Sequence, residues 1–229
     1  MNKEFEIIAH NMANVSTTGF KRRCNSFTNM LESQQASQDG QTQEEDSLSG
    51  VFDFSQGTLV QTDRTLDFAL DGSGFFVIET PTGPLYTRHG VFHTDASGHI
   101  VDSAGRLVAG TSGPLTVPGN VDLSSLQISN DGQIMAGEAS IGQFHLVEFP
   151  KAQDQLQPAG ENCFTVPDTV KPVDATETFV KQGYQEASNV KLVDELVNMI
   201  LVSRMYESNM RLVSVKRDST SSAMSVAMG

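Results

Sequence analysis

The chain has 229 residues, 38% of them hydrophobic, and a net charge of −13 from 28 acidic and 15 basic side chains. That length buries one sizeable core or two modest ones, and the acidic balance argues against a nucleic-acid partner, since phosphate binding needs clustered Lys and Arg. No run of eighteen apolar residues offers a membrane span, and Lys3, Glu4, Glu6 and His10 leave the first ten residues without the apolar region of a cleaved secretory signal.

The charge is unevenly spread. Residues 1–30 carry +2 and residues 185–229 are neutral, so residues 31–184, with 21 acidic and 6 basic side chains, hold all of the excess. Near-neutral ends can pack against copies of themselves without repulsion, while an acidic middle reads as a solvated outer face.

In chain order, Phe5, Ile8, Met12 and Val15 fall at helical spacing with Ile7 beside them, which predicts a short amphipathic helix over residues 4–14. Asn14 and Gly19 supply stop signals after it. Phe27, Met30 and Leu31 extend a weakly apolar stretch, and residues 31–50, rich in Gln, Ser, Asp and Glu, read as a flexible connector.

From Val51 the texture changes to short strands between turns. Leu66, Phe68 and Leu70 alternate with polar neighbours, Phe75 to Ile78 is continuously apolar, and Asp95-Ala96-Ser97-Gly98, Ser103-Ala104-Gly105 and Asn130-Asp131-Gly132 read as turns. The spacing predicts an all-β domain of sandwich or barrel type over residues 51–184.

After Gly183 the pattern becomes helical again. Leu192, Leu196, Met199, Ser203, Tyr206, Met210, Val213 and Arg217 alternate spacings of four and three as an a/d seam, broadened by Val193, Val197 and Ile200, and Ser188 or Asn189 can cap the helix. So apolar a seam needs a partner helix. Pairing it with the N-terminal helix gives an α+β chain: a discontinuous helical domain from residues 1–30 plus 185–229, with the β domain inserted between them.

No constellation for catalysis, metal or cofactor emerges. Cys24 and Cys163 form no Cys-x-x-Cys or Cys/His cluster, and two inert thiols are preferred over one disulfide. His89 and His93 are four apart with Asp95 as the only near further ligand, which is too few for zinc. Gly72-Ser73-Gly74 lacks a nucleophile-elbow context, and the Asp-x-x-Gly turns lack the ligand spacing of a calcium loop.

Two motifs carry a resemblance. Asn11-Met12-Ala13-Asn14-Val15-Ser16-Thr17-Thr18-Gly19-Phe20-Lys21 resembles the N-terminal signature of the bacterial flagellar basal-body rod proteins, a family related to the hook protein. Ser188-Asn189-Val190, Glu195-Leu196-Val197, Met199-Ile200, Arg204 and Tyr206-Glu207 resemble its C-terminal signature. Gln56-Gly57-Thr58-Leu59, Leu66-Asp67-Phe68-Ala69-Leu70, Gly74-Phe75-Phe76 and Tyr86-Thr87-Arg88-His89-Gly90 are similar to the family's β domain in the expected order.

The resemblance implies a structural subunit with no cofactor, exported unfolded by the flagellar type III apparatus. It would polymerise with itself and other rod subunits into the periplasmic rod, helices inward and β domain outward. Asn11, Ala13, Asn14, Thr18, Gly19, Phe20 and Lys21 become the assembly motif, and Leu192, Leu196, Met199, Ile200, Tyr206, Met210 and Val213 the helix seam. Ten residues precede Asn11, fewer than the family usually carries, and His10 stands where a further Asn is common. This implies either a shortened inner helix or a start further upstream. The short connector and Gly113-Pro114-Leu115-Thr116-Val117-Pro118 tip the reading toward the proximal-rod (FlgF) type over the distal-rod (FlgG) type. The competing class is a non-enzymatic periplasmic binding module using the acidic β domain.

Overall fold

A computed structural model describes residues 2–24, 51–150 and 152–228, with side chains in the C-terminal helix described to Lys216. Phe27, Met30, Leu31 and the connector expected over residues 31–50 lie outside the described residues. Among the described residues the fold is mostly β with one helix near each end, an α+β arrangement.

Helix α1 spans Asn2–Ala13, starting two residues and ending one residue earlier than the apolar spacing suggests. Its apolar stripe turns inward, with Ile8 buried and Phe5, Ile7 and Met12 half-buried. Glu4 in the first turn and His10 in the last suit the helix dipole. The stop is made by Asn14, whose Nδ2 donates to the His10 carbonyl at 2.8 Å and so satisfies an otherwise orphan acceptor at the helix end.

The β region is dominated by a ten-stranded sheet whose main path runs Gln157–Pro158, Cys163–Thr165, Gly83–Thr87, Phe75–Thr80, Leu107–Gly110, Ile100–Val101 and His93–Thr94. A three-stranded sheet (Leu126–Ile128, Gln133–Ala136, Ala139–Gln143) and two-stranded pairings complete it. One large sheet with small satellites replaces the two matched sheets that a sandwich would have.

The apolar run at 75–78 is a strand buried on both faces. Phe76 and Ile78 enter one core cluster with Phe68, Phe92 and Phe144, while Phe75 and Val77 enter a second with Tyr86, Phe149 and Phe164. Side chains alternate along a strand, so a strand covered on both sides reads as continuous and not as alternating hydrophobicity. The turn residues behave as expected. His93–Thr94 pairs with Ile100–Val101 across Asp95–Gly98, and Gly98 takes a positive φ of 85° there.

Two short pairings tie the chain's ends to this body. Arg23–Cys24 pairs with Val51–Phe52, and Leu59–Gln61 pairs with Tyr184–Glu186, which leads directly into helix α2 (Leu192–Met228, 37 residues). At 1.5 Å per residue α2 is about 55 Å long against about 18 Å for α1. The two helices touch at the start of α2.

Candidate functional site

The described residues of both ends converge where the chain leaves α1. Asn11, in the last turn of α1, is fully buried: its Oδ1 accepts from the Arg23 N–H at 2.8 Å and its Nδ2 donates to the Arg23 carbonyl at 2.9 Å. One amide thereby holds a backbone donor and acceptor together, as a strand partner would. The same Nδ2 lies 3.4 Å from Glu195 Oε1 in the first turn of α2.

Gly19 follows with φ of 68°, and its N–H donates to the Glu186 carbonyl at 2.7 Å. The backbone of Arg88 and His89 presses so close that a Cβ at Gly19 would sit 2.6 Å from Arg88 C and His89 N. Only glycine fits both constraints. Phe20 is buried beside the His10 ring, 5.5 Å between centroids, and Lys21 is buried to 2% exposure. Thr18 donates to Gln185 Oε1 at 3.2 Å, and Asn14 accepts from Thr17. Ala13, named with them from sequence, is exposed and has no such role in the described chain.

Electrostatics explain why a lysine can be buried here. Lys21 Nζ donates to Glu186 Oε1 and to the Ser55 carbonyl, both at 2.7 Å. Glu186 Oε1 also accepts from the Gly57 N–H at 2.9 Å, and Glu186 Oε2 faces Arg88 Nη1 at 3.6 Å, an ion-pair distance too long for a hydrogen bond. Arg88 donates through Nη2 to the Gly72 carbonyl at 2.7 Å and lies over the Phe75 ring at 5.0 Å. Burial lowers the pKa of both Lys21 and Arg88, and Glu186 opposes the shift in each case. Gly57 is required for the approach: a Cβ there would fall 1.9 Å from the Ala187 carbonyl oxygen.

A second charged set faces α2. Arg22 Nε donates to Glu195 Oε1 at 2.5 Å, and burial, which would lower the Arg22 pKa, is outweighed by this bond together with the charge of Glu195 and its neighbours, so that the guanidinium is held above its usual range. Asn189 locks the intervening backbone, with Oδ1 accepting from the Arg22 N–H at 2.7 Å and Nδ2 donating to the Asp53 carbonyl at 2.8 Å.

The seam residues are placed differently. Glu195 is the only buried side chain among the described residues of α2, with Asn198, Met199, Val202 and Ser203 half-buried around it. Leu192, Leu196, Ile200, Tyr206, Met210 and Val213 are 42–53% exposed. At about 100° per residue, the face covered within the chain is rotated by roughly 40° from the a/d seam, and only Met199 and Ser203 belong to both. From Arg204 to Lys216 every residue of α2 is exposed whatever its face, so the second half of the seam is left uncovered in the described chain.

Sequence reasoning missed Arg22, Arg88, Glu186 and the buried role of Glu195. Arg22 lies in the run Lys21-Arg22-Arg23 and Glu195 beside Asp194, so no local pattern marks these charges for burial. Cys24 and Cys163 are free thiols whose pKa burial raises, opposite to the direction of an activated nucleophile.

Two family models match: the flagellar hook protein FlgE/F/G D1 domain over residues 69–136 and the flagellar basal body rod FlgEFG protein C-terminal domain over residues 181–226. The FlgG rod protein of Bacillus subtilis is 32% identical over 92% of this chain and 88% of its own length. The chain belongs to the flagellar basal-body rod protein family. FlgG of Buchnera aphidicola from Schizaphis graminum is 33% identical over 91% of the chain and 88% of its own length. FlgF of Caulobacter vibrioides is 29% identical over 98% of the chain and 91% of its own length. This member of the rod family is a subunit of the FlgF/FlgG type and not an enzyme. The C-terminal family match contains Glu186 and Glu195, whereas the Asn11–Lys21 motif lies outside both matched stretches and meets them through contacts such as those above.

Proposed function

We propose that this rod subunit polymerises through its terminal helices. Residues 1–30 plus 185–229 act as one discontinuous helical domain, residues 31–50 as the connector and residues 51–184 as an outward β domain. The observation that carries this reading is the contrast along α2: its start is held by Asn11 and Arg22 of the other end, while its apolar seam stays exposed. Each large side chain on that seam contributes roughly 1.5 to 3 kcal/mol when covered. Copies of the same chain and other rod subunits are the partners that cover it. The subunit reaches its place in the periplasmic rod through the flagellar type III export apparatus.

Within the rod the reading is the proximal (FlgF) type, supported by the alignment to Caulobacter FlgF, which spans 98% of the chain against 91–92% for the FlgG relatives cited. The distal (FlgG) reading has the higher identities, 32–33% against 29%, in its favour. The test is genetic. Deleting the gene in its source bacterium should leave cells non-motile with basal bodies arrested before the distal rod for the proximal type, or with a proximal rod alone for the distal type. Complete hook-bearing basal bodies in the deletion strain would refute the rod function.

A further inference from the structure

Lys21 and Arg22 are neighbours in an extended segment, where successive side chains point to opposite faces. Lys21 turns to Glu186 and Ser55 of the β body, and Arg22 turns to Glu195 of α2. Each carboxylate is fully buried, and each has one oxygen, Glu186 Oε2 and Glu195 Oε2, without a hydrogen bond in the described chain. Burying incompletely satisfied carboxylates is a poor way to gain stability, because desolvation offsets the attraction; the best-attested use of such pairs is to fix register.

The helix contact supplies a reason for a register device. The apolar groups that α2 turns inward are few, Met199 and Val202, and both are only half-buried. A short helix resting on so small an apolar patch of a longer one can shift by a turn, about 5.4 Å, at little cost. A charge that finds its partner at one position only removes that freedom.

We propose that residues 21 and 22 form a two-sided clamp in which Glu195 is a positioning residue: through Arg22 and Asn11 it fixes the direction and register in which α2 leaves the β body. Glu186, through Lys21 and Arg88, anchors the same segment to that body. The rod reading gives the clamp its purpose, a fixed helix direction on which successive subunits add, but the geometry stands in the single chain.

The experiment uses the full-length chain with Cys24→Ser and Cys163→Ala. Spin labels go on Ser97→Cys in the β hairpin and Ser208→Cys on α2, both exposed positions, and pulsed dipolar spectroscopy gives the distance distribution. The reference protein should give one narrow peak. In the double variant Arg22→Met/Glu195→Met no buried charge is left unpaired, so the melting temperature should stay within about 4 °C of the reference while the distribution broadens or splits. Asn11→Ala and Glu195→Gln, which remove single partners, should broaden it in the same sense. A narrow, unshifted peak in all three variants, or a broad peak already in the reference, overturns the proposal. Because the readout is taken on the isolated chain, failure to enter a rod bears only on the proposed function.

Discussion

Gly19→Ala is the most demanding single test of the junction. The substitution adds one methyl group, but at φ of 68° it asks an L side chain to adopt the left-handed region, which costs about 1–2 kcal/mol. The new Cβ would also lie 2.6 Å from Arg88 C, 2.6 Å from His89 N and 2.7 Å from His89 Cα. These are backbone atoms, so no rotamer change relieves the overlap, and displacement of a packed segment adds about 1–3 kcal/mol. The sum, roughly 2–5 kcal/mol, is a large part of the 5–15 kcal/mol that holds a typical domain together. The easiest escape moves residues 18–21 away from the body, which lengthens the Gly19 N–H bond to the Glu186 carbonyl and the Lys21–Glu186 pair together. Purified Gly19→Ala should melt roughly 4–20 °C lower, and hydrogen exchange should rise first at residues 184–190 and 19–23. A variant within about 0.5 kcal/mol of the parent, with exchange unchanged at both segments, would refute the assignment of Gly19 as a conformationally required contact.

Further outcomes follow from the same geometry. Lys21→Ala leaves the Glu186 carboxylate buried with only the Gly57 N–H bond and the longer Arg88 pairing, and should cost about 3–5 kcal/mol in urea unfolding, whereas Lys181→Ala, which breaks a pair with Asp71 that is exposed on both sides, should change stability by less than about 1 kcal/mol. Leu196→Asp, on an exposed part of α2, should leave the melting of the isolated subunit within about 0.5 kcal/mol of the parent while abolishing motility; loss of the β body's own transition would show that α2 belongs to its core. Burial lowers the His89 pKa despite Asp102 and Asp67, so the folded state binds fewer protons at this site than the unfolded chain. Its contribution should therefore weaken stability as pH falls through the usual imidazole range toward the depressed value, and His89→Gln should flatten that part of the pH–stability curve.

Much of the fold was legible because the local signals agree with the tertiary outcome. The stripe of Phe5, Ile8 and Met12, the Asn14 stop, the doubly buried run at 75–78 and the glycine turns each match an element of the structure. Of the seven residues named as an assembly motif, six make contacts in or beside this junction, Ala13 being the exception. What the sequence could not supply was the pairing of charges separated by more than 160 residues, Lys21 with Glu186 and Arg22 with Glu195. A lone Glu in a polar-looking stretch carries no sign of its burial until the topology brings a cation to it. The a/d seam is a stripe by its spacing alone, and periodicity does not say which neighbour covers it. The intrachain contact is set by Glu195, a charged residue that any hydrophobic pattern passes over.

The central claim is that the two ends meet at this junction so that α2 offers its apolar seam to other subunits. Electron cryomicroscopy of basal bodies purified from cells whose only copy of this chain carries a small tag on the β region addresses it directly. The account predicts the chain within the rod, with Leu196, Ile200 and Tyr206 at contacts between subunits and the Arg22–Glu195 pair preserved inside each one. Basal bodies lacking the chain, or rods in which that face of α2 contacts only its own α1, would contradict it.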